Sequence, residues 1–239
     1  MKLPFQDLDR QETLLGELVL RRRSYAALDN LEVYEVQLDG VYLMSSLFHE
    51  GEVALTQKGL DQLSGEEWDI VVGGLGLGYT AAAALGYSQL KRMIVVEALG
   101  PVIDWHRRGL VPNGRRISSD ERCRYYQADF FRLASGDGFD PETADHEFDA
   151  ILLDIDHSPE FVLNEIHRSF YSRAGMARLK SFLKPDGVFG LWSNDPPDEA
   201  FLKILSDVFS SAQGHLIDFH NPLQNKTFTN GVYVARCSG

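Results

Sequence analysis

The chain has 239 residues, 44% hydrophobic and 24% charged, which excludes a disordered protein and leaves room for one large domain with a small appendage. Acidic residues outnumber basic ones 35 to 23, a formal charge of -12. That balance argues against nucleic acid or an anionic membrane as partner and favours small cations.

The first elements in chain order are strands. From Leu14 to Ser46 the stretches LLGELVLRRR, LEVYEVQLDG and VYLMSS alternate in a strand-like way, with Asp29-Asn30 and Asp39-Gly40 supplying turns. Asp-Gly between apolar strands predicts a hairpin, so a small antiparallel sheet is expected. A helix is predicted over Gly51 to Leu63. From Trp68 onward strands alternate with helices. The strands are WDIVVGG, RMIVVEAL, CRYYQADF, FDAILLDIDH and VFGLWSND, with helices opening at YTAAAALG, at GPVIDWHRRGL, over roughly Tyr171 to Leu183 and at DEAFLKILSDVFSS. Continuous apolar strands between helices predict a parallel sheet covered on both faces. The last two strands, HLIDFHN and TFTNGVYVARC, are joined by too few residues for a crossover helix, so they must pair as an antiparallel hairpin. The expected fold is α/β. It has a Rossmann-like, mostly parallel seven-stranded sheet ending in that hairpin, behind a small N-terminal β-sheet. The expected division is a small domain with its connecting helix over 1–62 and a nucleoside-binding catalytic domain over 63–239.

Cys123 and Cys237 lack metal-type spacing and read as free thiols in a reducing compartment. The N-terminus is polar, without an apolar leader-like core, and no apolar run approaches the ~20 residues that span a bilayer. A cytoplasmic protein with no membrane partner and no metal is expected.

Four glycines within six positions follow the first strand of the large sheet. Gly76-Leu77-Gly78-Tyr79-Thr80-Ala81 matches the dinucleotide fingerprint, and Gly74, Gly76 and Gly78 equally match the GxGxG loop of adenosylmethionine-binding folds. Either loop presents backbone N–H groups at a helix N-terminus. Glu97 ends the next strand, 19 residues after Gly78, close to the spacing of a ribose-binding acid, and Ala98 follows it on the same rim. Asp129 ends the third strand, where it can accept from an adenine amine or cap the next helix; Phe130 or Phe131 would pack on the ring. Asp154, at the carboxyl end of the fourth strand, stands where open α/β sheets place ligands. An extended chain would turn Asp156 to the same side. Together they could hold a cationic amine, with His157 as a further base. His49 and Glu50 lie at the junction of the two sheets, and Trp192, Asn194 and Asp195 on the rim after the fifth strand. The dispersed arginine pairs read as solvated surface.

The order DIVVGGLGLG, VVEALGPVIDWHRR, YYQADFF, FDAILLDIDHSP and FYSRAGMARLKSFLKPDGVFGLWS resembles the spermidine synthase-like branch of the class I adenosylmethionine-dependent methyltransferase fold, from about Leu14 to Arg236. The resemblance implies that Gly74, Gly76, Gly78, Glu97 and Asp129 line a nucleoside and that Asp154 activates an acceptor amine. It implies adenosylmethionine or its decarboxylated form as co-substrate, an alkyl group (aminopropyl or methyl) transferred to an amine, a role in polyamine biosynthesis, and a homodimer. Several positions depart from the pattern. Gly76 stands where the family carries an acid in the loop, and His157 where its second aspartate falls. Phe48-His49-Glu50 replaces Tyr-His-Glu, and Leu43 replaces a nucleoside-binding glutamine. The alternatives are a methyltransferase acting on an unrelated small molecule, a nucleoside-binding protein without catalysis, and an NAD-dependent oxidoreductase. The terminal hairpin speaks against the last of these.

Overall fold

The computed structural model describes residues 5–13, 15–143 and 145–239; Leu14, where the predicted small sheet begins, and residues 1–4 lie outside them. The first sheet is a four-stranded antiparallel meander, β1 (Phe5–Thr13), β2 (Gly16–Tyr25), β3 (Leu31–Leu38) and β4 (Val41–Ser45). Its β3–β4 turn places Asp39 at φ 50° and Gly40 at φ 75°, the left-handed pair that an Asp-Gly hairpin demands. Strand β1 was not expected, because FQDLDRQET carries almost no apolar alternation. It is held as an edge strand by β2 and by polar ties, Arg21 Nε donating to Asp7 at 2.6 Å and Trp105 Nε1 donating to Asp9 at 2.7 Å.

The second sheet has seven strands, β5 (Trp68–Gly73), β6 (Leu90–Glu97), β7 (Cys123–Gln127), β8 (Phe148–Leu153), β9 (Leu183–Ser193), β10 (Ser211–Asn221) and β11 (Lys226–Arg236). Their order is β10-β11-β9-β8-β5-β6-β7. The five strands from β9 to β7 run parallel; β11 lies antiparallel to β9, and β10 antiparallel to β11. The hairpin predicted from its short connection is therefore present, with β11 inserted beside β9. Within β9 the register to β8 jumps from Phe148↔Leu183 to Ala150↔Val188. Lys184–Gly187 makes that turn, with Asp186 at φ 62°.

Helices α1 (Glu50–Leu60), α2 (Tyr79–Ala84), α3 (Gly100–Arg108) and α4 (Gly114–Ser118) are joined by a short turn α5 (Phe130–Arg132), α6 (Arg173–Lys180) and α7 (Glu199–Val208). Helix α6 is shorter than the sequence predicted, because Ser172 caps it by accepting from Gly175 N at 3.1 Å. One apolar layer runs from Leu55 and Leu60 of α1 through Val72, Val95 and Leu152 of the sheet to Trp105, and Leu18, Leu20 and Val36 of the small sheet join it. The opposite face is an aromatic layer of Phe130, Phe139, Phe148, Phe170 and Phe189. Each fully buried Leu, Val or Phe contributes roughly 1.5–3 kcal/mol over its exposed state. Helix α1 lies on the large sheet: a Cβ at Gly59 would meet Leu152 at 2.8 Å, and Thr56 donates to the Thr80 carbonyl at 3.0 Å. That docking brings the start of α1 over the carboxyl ends of the parallel strands. Among the described residues no helix is long and apolar enough to cross a membrane.

Candidate active site

The site forms where β5, β6 and β8 end, because parallel strands leave their last residues free at a common edge. Strand β5 runs into Gly74, Gly76 and Gly78, at φ 91°, 46° and 83°. At Gly74 glycine is required on two counts: its φ is left-handed, and a Cβ would lie 2.1 Å from the Asp154 carbonyl oxygen. The loop is held from behind. His106 is fully buried, and burial pushes its imidazole down to about 4. The ring is therefore neutral, and its Nε2–H donates to the Gly76 carbonyl at 2.9 Å. Asn113 Nδ2 donates to the Leu77 carbonyl at 3.2 Å. Neither residue stood out in the sequence, since nothing in α3 or α4 signals a long-range tie to the loop.

Glu97 meets the loop from β6. Its carboxylate accepts from Leu75 N at 3.0 Å and from Leu99 N at 2.8 Å. Burial raises its proton affinity, and those two donors oppose the rise. Ala98 is exposed beside it.

Asp154 extends the β8 ladder by one residue, its N–H donating to the Gly73 carbonyl at 2.8 Å. Its Oδ2 accepts from Thr80 Oγ1 at 2.8 Å, so a side chain of α2 fixes the carboxylate against the glycine loop. Burial pushes Asp154 up to about 6, against the Thr80 bond. Asp154 lines a cleft with His157, Tyr79, Met44 and Trp192. Glu52, one turn into α1, enters the same cleft. Burial and then the Asp154 charge push Glu52 up to about 8. Sequence reading weighed its neighbours His49 and Glu50 instead. His49 stacks on Tyr79 with ring centroids 4.3 Å apart, and exposed Glu50 accepts from His49 N at 3.0 Å. The face that α1 turns to the cleft depends on its docking onto the sheet, which no local pattern specifies.

Two expected residues lie elsewhere, and a third, Asp129, takes the helix-capping place the sequence allowed it. Asp156 does not share a face with Asp154, because regular strand ends at Leu153. It is buried and accepts from Leu163 N at 2.7 Å, His167 Nδ1 at 3.0 Å and Tyr171 OH at 2.8 Å. Those bonds use both its oxygens to hold the loop after β8. Phe130 is buried in the aromatic layer, against Phe139 at 4.9 Å between centroids, where a Cβ on Gly73 would meet it at 2.5 Å. It is core and not available to a ligand ring. Asp129 is exposed and caps α5, Oδ1 accepting from Phe131 N at 2.8 Å and Arg132 N at 3.1 Å. Of the rim residues, Trp192 lines the cleft, and Asn194 N donates to the His157 carbonyl at 2.6 Å. Leu43 and Met44 also line the cleft. A Cβ at Gly76 would meet Met44 Sδ at 2.7 Å, so Met44 occupies the space beside the loop where the resembling family carries an acid. Among the described residues no group of three or more His, Cys, Asp or Glu could hold a metal.

A seven-stranded, mostly parallel sheet with an inserted antiparallel strand, a glycine loop after its first strand and an acid at the end of the next define the class I methyltransferase-like fold. Within that class the chain has the fold of the spermidine synthases. It superposes on the spermidine synthase of Thermotoga maritima with a TM-score of 0.73 at 16% identity, covering 96% of this chain and 72% of that one. A spermidine synthase in complex with the transition state analogue AdoDATO gives 0.72 at 16% identity, with 96% and 72% covered. A probable spermidine synthase from Corynebacterium glutamicum gives 0.66 at 17%, covering 95% and 79%. In sequence, the chain is 26% identical over 189 residues to a polyamine aminopropyltransferase of Prochlorococcus marinus, a match covering 74% of this chain. The match spans 61% of that relative's length. No family model matches the chain.

Proposed function

We propose that the chain is an alkyl transferase of the aminopropyltransferase type. It takes decarboxylated adenosylmethionine as donor and a small cationic amine as acceptor. The glycine loop and Glu97 hold the nucleoside, with Glu97 accepting from the ribose hydroxyls. The acceptor nitrogen attacks the methylene carbon next to the sulfonium. As the N–C bond forms, the C–S bond breaks and its electron pair stays on sulfur, leaving neutral methylthioadenosine. Catalysis here is mostly alignment of nucleophile, carbon and leaving sulfur. The nitrogen sheds one proton in the process, and Asp154 receives it.

The observation that carries this reading is the placement of Asp154. It is half-buried at the end of β8 against the glycine loop, fixed by Thr80, with its proton affinity raised to about 6. A base near neutrality is efficient at cellular pH, since it is ionised yet holds a proton well. The similarity in fold and sequence to spermidine synthases supports the reaction class, and a fold alone would not. A thermal-shift panel tests the donor. Decarboxylated adenosylmethionine and methylthioadenosine should each stabilise the protein, by about 2.7 kcal/mol at a hundred times Kd. Stabilisation by NAD alone would contradict the proposal. Stabilisation by methylthioadenosine with no transfer to any amine would favour a binding protein without catalysis.

A further inference from the structure

The cleft carries two carboxylates and no lysine or arginine. Glu52 and Asp154 both line it, and among its lining residues only His157 could take a positive charge. Two carboxylates sharing a poorly hydrated site repel one another unless a proton or a cation intervenes. Asp154 has Thr80 as a partner. Glu52 is half-buried, and its carboxylate has no hydrogen-bond partner beyond its own backbone N–H among the described residues. The chain thus spends a helix position on a half-buried carboxylate that no other side chain satisfies. The glycine loop, meanwhile, has no acid of its own, and Met44 fills the space beside Gly76.

We propose that Glu52 is a specificity-determining residue whose carboxylate receives the primary ammonium at the end of the donor's transferable chain, supplying from α1 the charge that the loop lacks. The inference rests on the transferase reading above. It has a second consequence for selectivity. Adenosylmethionine carries a carboxylate beside that ammonium, and in this cleft it would meet two negative charges with no lysine or arginine to offset them. The decarboxylated donor carries the ammonium alone.

Calorimetric titration of the full chain tests this with two ligands, one with the ammonium and one without. E52Q should bind decarboxylated adenosylmethionine about 10-fold or more weakly than wild type does, the scale of one charge-assisted bond. Methylthioadenosine, which lacks the ammonium, should bind within about twofold of wild type, which also shows that the variant is folded. Equal affinity of wild type and E52Q for the decarboxylated donor overturns the assignment. If E52Q does not fold, wild type alone decides: a preference of about 10-fold or more for the decarboxylated donor over adenosylmethionine is expected, and equal affinity overturns the inference. Wild-type protein that binds neither nucleoside overturns the transferase reading and this inference together. Wild-type protein that transfers the group while E52Q binds and transfers equally well overturns the Glu52 assignment alone.

Discussion

Replacing Asp154 by asparagine separates its cost to folding from its use in catalysis. The amide is nearly isosteric and can still accept the Thr80 hydroxyl, so the wall of the site should persist. Asp154 rises from an ordinary 3.8 to about 6 on folding, chiefly through burial. The folded state therefore binds the proton more tightly than the unfolded chain. The resulting stability is fully present below pH 3.8 and is lost as pH rises through 6. In full that loss is about 3 kcal/mol, at about 1.4 kcal/mol per tenfold in proton affinity. Asparagine has no such titration. In urea unfolding, the stability of D154N relative to wild type should thus improve by about 2–3 kcal/mol between pH 4 and pH 8. Glu52 acts in the same sense, because removing the Asp154 charge relieves part of its own raised proton affinity. The same variant should lose about 10²–10⁴-fold in transfer rate, the usual contribution of a positioned base. A stability difference that does not change with pH, or a transfer rate equal to wild type, would refute the assignment of a desolvated, functional carboxylate.

Other residues give shorter tests. G74A forces a left-handed alanine, costing about 1–2 kcal/mol, and drives its Cβ into the Asp154 carbonyl at 2.1 Å. It should lower the urea midpoint markedly and reduce transfer, and a neutral effect would contradict the close approach. E97A removes the acceptor of Leu75 N and Leu99 N and the proposed ribose contact; methylthioadenosine affinity by calorimetry should fall about 10-fold or more. D156A strands the Tyr171 hydroxyl, the Leu163 N–H and His167. It should cost about 3 kcal/mol in urea unfolding, at roughly 1–3 kcal/mol for each buried group left unpaired. A loss below about 1 kcal/mol would mean that the loop after β8 does not depend on it.

Much of the architecture can be read from local pattern. The terminal hairpin follows from a connection too short for a helix, and the parallel sheet from apolar runs such as DIVVGG and DAILLD. Gly74 is legible because its backbone geometry admits no other residue. Strand β1 is not legible, since an edge strand held by Arg–Asp ties needs no apolar alternation. Within the site, the acids that end strands, Glu97 and Asp154, are visible because strand ends have a fixed place in such sheets. Glu52 is not, because its orientation comes from how α1 docks on β9, β11 and α2. Asp156 and Phe130 mislead for a related reason: each lies three residues past a strand end, where alternation no longer sets a side chain's direction.

The central claim is transfer of a sulfonium-bound alkyl group to an amine. Its most direct measurement is mass spectrometry of the full chain incubated with decarboxylated adenosylmethionine and a mixture of primary diamines. The account predicts methylthioadenosine and an aminopropylated amine in equal amounts, both abolished or strongly reduced in D154N. No methylthioadenosine from the decarboxylated donor, or a methylated product from adenosylmethionine alone, would contradict it.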